Sequence, residues 1–167
     1  MNIFFLHTKP RKCARWHCDK HVVKMLLETC QLLYTCHWMT GHVDFTSAPL
    51  RKDGGQGYKK AHMNHPCSKW VRRSATCYKW LARLGMELLK EYMYRYPGKT
   101  HGCAEHVKWL YNHVPPCLND IGWIEPAMAM PDVYKSGDAV ASYRRYYLGA
   151  KAGILKWTGR HVPHWVV

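Results

Sequence analysis

The sequence predicts an all-α fold, a single compact helical domain with a long buried N-terminal helix and long irregular loops. Apolar residues recur at helical spacing through several long segments, no segment alternates convincingly as a strand does, and start and stop residues bracket the periodic stretches. The chain has 167 residues, enough for one domain with a substantial core, and 1–167 is read as that one domain.

Residues 1–7 form a short apolar lead-in. Thr8 followed by Pro10 marks a helix start, because proline is tolerated in the first turn. The helix then runs to about Trp38. At 100° per residue, Ala14, Cys18, Val22, Met25, Thr29, Leu32, Leu33 and Cys36 share one face, and Trp16, Val23, Leu27, Cys30 and Tyr34 fall nearly opposite. A helix apolar on both sides is usually buried. Residues 40–60 carry four glycines, a proline and four Lys or Arg, which reads as a mobile loop turned toward DNA. His65-Pro66 opens a short helix through Arg73. Ser74 caps the next helix, which Pro97-Gly98 stops. Another covers about Ala104 to Val114 before Pro115-Pro116. Residues 117–137 are irregular. Asp138 caps a last helix, about Ala139 to Trp157, weakened at Gly149 and Gly153. No internal repeat is found.

The formal net charge is +14. With abundant Trp and Tyr, that excess points to a polyanionic partner, nucleic acid before an acidic membrane surface. No apolar run is long enough to span a membrane. Ile3-Phe-Phe-Leu6 is too short for a signal peptide. The eight cysteines fall mostly inside helical patterns rather than in a loop-rich framework, which fits reduced thiols in a cytoplasmic protein. Ligand-like spacings occur at Cys13-x3-His17-x3-His21 and His62-x2-His65-x-Cys67. A structural zinc site needs a closed set of four; the cysteine pair with knuckle spacing, Cys13-x4-Cys18, points apart on a helix and no second pair has that spacing, so no metal and no cofactor are expected.

The most informative feature is a line of polar residues between the two apolar faces of the first helix: His17, His21, Lys24, Glu28 and Gln31. Buried ionisable groups are costly unless paired or used, so this line is a candidate active site. Asp19 points elsewhere and is expected to brace the helix or meet a basic side chain.

Asp19-x-His21 followed by Glu28 resembles the N-terminal active-site helix of the pyrimidine-dimer DNA glycosylases of large phages, the endonuclease V type. Tyr78 to Tyr96 resembles the family's long middle helix, and Tyr143 to Lys151 its aromatic and basic C-terminal segment. The resemblance implies a compact all-α fold, cleavage of an N-glycosidic bond, and kinking of duplex DNA with nucleotide flipping.

As a base leaves, the deoxyribose gains oxocarbenium character, which a nearby carboxylate stabilises while it orients or deprotonates the nucleophile. Glu28 is assigned that role. His21, Lys24 and His17 are its catalytic companions, able to orient it, hold phosphate or protonate the departing base. The family's bifunctional members use an N-terminal amine as nucleophile, which makes Met1 and Asn2 candidates. A bulky second residue generally protects the initiator Met, so water is the preferred nucleophile here, with lyase activity at the abasic site left open.

DNA contacts are assigned to Arg51, Lys52, Lys59, Lys60, Lys69, Arg72, Arg73, Arg144, Arg145 and Lys151. Trp38, Tyr58, Tyr143, Tyr146 and Tyr147 are candidates for stacking. The expected activity is a monomeric DNA N-glycosylase that excises a pyrimidine dimer or a bulky, sugar-modified pyrimidine, in repair or in defence against modified phage genomes. The alternatives are a non-catalytic nucleic-acid-binding protein and a metal-dependent nuclease using His17, His21 and Glu28.

Overall fold

The computed structural model describes residues 1–42 and 44–166. Its regular elements are helical, as expected: α1 (Pro10–Trp16), α2 (Asp19–Met39), α3 (Pro66–Val71), α4 (Ala75–Arg95), α5 (Ala104–Asn112) and α6 (Ala139–Ala150). Short 3-10 turns lie at Asp132–Tyr134, before α6, and at Ala152–Ile154, after it. No described helix is long and apolar enough to cross a membrane.

The two 21-residue helices α2 and α4 pack together and carry the core. A Cβ on Gly85 would come within 3.0 Å of the Thr29 methyl, so the glycine lets α4 lie close against α2. The apolar lead-in is not a surface tail. Ile3, Phe4, Phe5 and Leu6 are all buried, and the Phe5 ring meets those of Trp70, Trp80 and Tyr143. Threading these side chains into the core carries the start of the chain across α2.

The first helix departs from its sequence pattern. Instead of one helix to Trp38, the chain breaks at His17 and Cys18, which are extended (ψ 134° and 162°). Helix ends leave carbonyls without partners, and here tertiary groups take them. Arg95 donates to the carbonyls of Arg15 (3.0 Å) and His17 (2.8 Å), and Trp157 Nε1 donates to that of Trp16 (3.0 Å). Asp19, in the first turn of α2, binds Arg95 and Thr158. Periodicity alone continues through this point because the apolar faces of the two helices stay nearly in register.

Two further boundaries differ in their causes. Ser74 does precede α4, but its hydroxyl donates to Asp120 (2.9 Å) rather than capping the helix. The free N–H of Thr76 is taken by Asp120 instead (3.2 Å). Asp138 caps α6 as expected, accepting from Ala141 N at 2.6 Å, but α6 stops at Ala150 and the chain passes into a 3-10 turn.

The sequence predicts a mobile, DNA-facing loop over residues 40–60, and the structure corrects this for residues 44–58. They instead pack on the second half of α2. Phe45 is buried against Tyr34, Trp38 and Trp109. Gly57 has φ +59°, and a Cβ there would lie 2.8 Å from the Tyr34 ring, so only glycine allows this approach.

Candidate active site

Glu28 sits on the buried side of α2 with about a tenth of its side chain exposed. Its Oε2 accepts the backbone N–H of Asn2 at 2.8 Å, and its Oε1 lies 3.3 Å from Lys24 Nζ one turn earlier. Lys24 is 66% exposed along its side chain, so the carboxylate lies at the rim of the protein and is not sealed within it.

The other half of the site is residue 2, held from three directions. The Asn2 side-chain amide donates to the Ala129 carbonyl (2.9 Å). Its Oδ1 accepts from Ile3 N (2.8 Å) and from the thiol of Cys67 on α3 (3.2 Å), and lies 3.1 Å from the Tyr143 hydroxyl on α6. That hydroxyl also donates to the Ala127 carbonyl at 2.7 Å. The Asn2 nitrogen is therefore fixed against the carboxylate by α3, α6 and the 127–129 segment together. Nothing in the sequence signals Cys67 or Ala129 as partners, because each lies more than sixty residues away in the chain.

The predicted polar line resolves into two environments. Lys24 and Glu28 form the pair at the rim, whereas His17 and His21 are buried. Burial is the largest cause that pushes His17 down to about 4 and His21 down to about 3, with Lys151 and Lys24 also acting on His21. Both rings are neutral at physiological pH. His17 Nδ1 must donate to the Cys13 carbonyl (2.8 Å), which leaves Nε2 as a buried acceptor without a partner. His21 Nδ1 lies 2.6 Å from the Tyr147 hydroxyl, and its ring stacks on Phe4 at 4.4 Å. Among the described residues no three His, Cys, Asp or Glu side chains converge as a metal-ligand set.

Tyr143 and Tyr147, candidates for stacking on DNA, are fully buried and offer no face to a nucleic acid. Tyr147 instead accepts the Cys18 N–H (3.2 Å) at the helix break and positions His21. Tyr147→Phe leaves that N–H and the His21 nitrogen unpaired. An expected loss of about 1–3 kcal/mol is checked by thermal unfolding. Tyr146 is partly exposed and lies between Tyr134 and Phe4, with Lys151 over its ring at 5.1 Å.

The basic candidates divide similarly. Lys52, Lys59, Lys60, Lys69, Arg73 and Arg145 are exposed. Arg51 is committed to Asp53 and to the Gly57 carbonyl, holding its own turn. Arg72 donates to the Met63 carbonyl at 2.6 Å. Arg144 donates to the Leu6 carbonyl and lies over the rings of Trp16 and Trp165. These three guanidinium groups brace the fold first, since each already has protein acceptors.

Val23 and Leu27, expected to be buried, are 37% and 39% exposed, because the 44–58 segment covers only the later turns of α2. The uncovered face forms one wall of a pocket of about 590 Å³, closed by Leu50, Tyr58 and Cys103 and bordered by Lys24. Lys24 thus touches both the pocket and the carboxylate. A volume of this size suits a small organic ligand.

A family profile for pyrimidine dimer DNA glycosylase matches residues 1–102. No curated protein and no solved structure matches the chain. The matched part contains Asn2, Lys24, Glu28 and helices α1 to α4. The similar C-terminal segment Tyr143 to Lys151 lies beyond it. Covering more than half of the sequence, the match and the all-α architecture assign the chain to the pyrimidine dimer DNA glycosylase family.

Proposed function

We propose that this protein is a DNA N-glycosylase that excises a damaged or bulky modified pyrimidine from duplex DNA and leaves an abasic site. The observation that carries this reading is the 2.8 Å hydrogen bond from Asn2 N to Glu28. It orients a carboxylate at the protein rim beside an exposed ammonium, Lys24, which also lines an open pocket. A flipped nucleotide would set its C1′ at Glu28 and its base against Leu27 and Tyr58 in that pocket. Lys24 would hold the adjoining phosphate. Glu28 stabilises the oxocarbenium-like sugar and directs water to C1′. His21 and His17, being neutral and buried, support the helix rather than deliver a proton.

The same hydrogen bond favours a second reading of the nucleophile. With Met1 in place, the Asn2 nitrogen is an amide and serves only as a donor. With Met1 removed, the same nitrogen is a primary amine against the carboxylate, suited to Schiff-base formation and strand cleavage. Borohydride trapping on substrate DNA separates the two. Base release without an adduct supports water, and a covalent adduct whose mass maps to a chain lacking Met1 supports the amine.

Irradiated, glucosylated and plain duplex DNA, assayed for released bases and abasic sites, tests the activity and chooses between repair and defence against modified genomes. No release from any of the three would reject the glycosylase reading and leave a monomeric DNA-binding protein.

Lys59 and Lys60 are exposed and proposed as phosphate contacts. The double variant Lys59→Ala, Lys60→Ala should flatten the slope of log affinity against log salt by about 2, without changing which base is released. Equilibrium binding at several salt concentrations checks this.

A further inference from the structure

The pocket wall carries a nucleophile that base excision does not use. Cys103 immediately precedes α5, is 4% exposed and belongs to the pocket lining. The Tyr58 hydroxyl lies 3.5 Å from its sulfur. The Cys30 thiol on α2 lies beside it, and His101 Nδ1 accepts the Cys103 backbone N–H at 3.1 Å. A tyrosine hydroxyl and a second thiol beside a sulfur at the start of a helix favour its thiolate. The other buried thiols behave oppositely. Burial pushes Cys13 and Cys36 up to about 12 and Cys67 up to about 11, whereas the adjoining Cys30 first, and then His101 and Tyr58, bring Cys103 down. Cys30 itself is raised, by burial first and then by its bond to Cys103.

We propose that Cys103 is a covalent modification site that reacts with small disulfides entering the pocket, and that Cys30 is its resolving thiol. The Cys103 sulfur attacks one sulfur of the small disulfide and forms a mixed disulfide. The other sulfur leaves as a thiolate and takes up a proton. Cys30 then gives up its proton and attacks the Cys103 sulfur, expelling the second small thiol. Two protein thiols are oxidised to one disulfide while one small disulfide is reduced to two thiols. The adduct occupies the pocket. The closed disulfide ties α2 to the start of α5 and removes the negative sulfur on which the Tyr58 hydroxyl rests.

The covalent chemistry stands independently of the proposed excision activity, and only its consequence for that activity rests on it. The full chain is incubated with glutathione disulfide and its peptides are mapped by mass. The expected product is a Cys30–Cys103 linked peptide, and Cys30→Ser should stop at a glutathione adduct on Cys103. In the unsubstituted protein, iodoacetamide should alkylate Cys103 about tenfold faster than the exposed Cys117, reflecting the larger thiolate fraction. Cys103 remaining a free thiol while Cys117 is modified would overturn the proposal, as would alkylation slower than at Cys117. Excision by the oxidised protein should fall about tenfold, as expected for a misplaced positioning group, and recover with dithiothreitol. A linked pair with unchanged excision would move the base out of this pocket but leave the modification site standing.

Discussion

Glu28→Gln should abolish base excision while the protein still folds and binds DNA. The amide keeps an oxygen that can accept the Asn2 N–H, now held at 2.8 Å, so the chain start stays docked. What disappears is the negative charge that would face the sugar as the base departs. Loss of a positioned carboxylate of this kind costs about 10²–10⁴-fold in rate. The ion pair to Lys24 is also lost, but Lys24 is largely exposed, and exposed pairs contribute about 0–1 kcal/mol. Single-turnover base release and gel-shift affinity, measured on the same preparation, check the prediction. Excision at the wild-type rate would remove Glu28 from the chemistry and with it the present assignment of the site.

Arg95→Ala should have the largest effect on stability. The Arg95 side chain is fully buried and joins Asp19 (3.0 Å) and Glu91 (3.3 Å) to the carbonyls of Arg15 and His17. Removing the guanidinium leaves the Arg15 and His17 carbonyls unpaired and leaves Asp19 with Thr158 and Glu91 with Arg160, at a cost of about 3–5 kcal/mol for a broken buried ion network. For a domain of this size that lowers the melting temperature by roughly 10 °C, measurable by calorimetry. The pH dependence has a definite sign. Burial alone would raise Asp19, but hydrogen bonds from Thr158 and Arg95 outweigh it and hold the carboxyl below its usual range. A depressed carboxyl stabilises the fold above its unfolded value, near pH 4, and that contribution is lost as pH falls through the lower folded value. Wild type and variant should therefore differ most near neutrality and converge in acid. A pH-independent difference would show that the network's hydrogen bonds to carbonyls, and not its charges, dominate.

Much of the local structure was legible in the chain. Long periodic segments become α2 and α4 because their apolar stripes need each other. Pro97-Gly98 ends α4 because proline cannot continue a helix. Asp138 caps α6 through a contact three residues away. Asp19 was expected to meet a basic side chain, but that partner, Arg95, lies 76 residues onward. The misread features share a cause. The break at His17, the capping of α4 by Asp120, and the burial of Tyr143 and Tyr147 all depend on partners distant in sequence. A tyrosine beside arginines in a terminal helix looks identical whether it faces solvent or core, and only the neighbouring elements decide.

Composition, periodicity and the Asp19, His21 and Glu28 spacing by themselves determined an all-helical, strongly cationic chain and the helix on which its carboxylate sits, because those properties reside in residues within a few turns of one another. Tertiary packing alone decided that Asn2 meets Glu28, that the two histidines are neutral, and that Leu27 and Cys103 border one pocket. Each of these is a consequence of burying the lead-in beneath α2 and laying residues 44–58 over only part of it. Such long-range burial is selected by the free energy of the whole core, and no short window of sequence carries it.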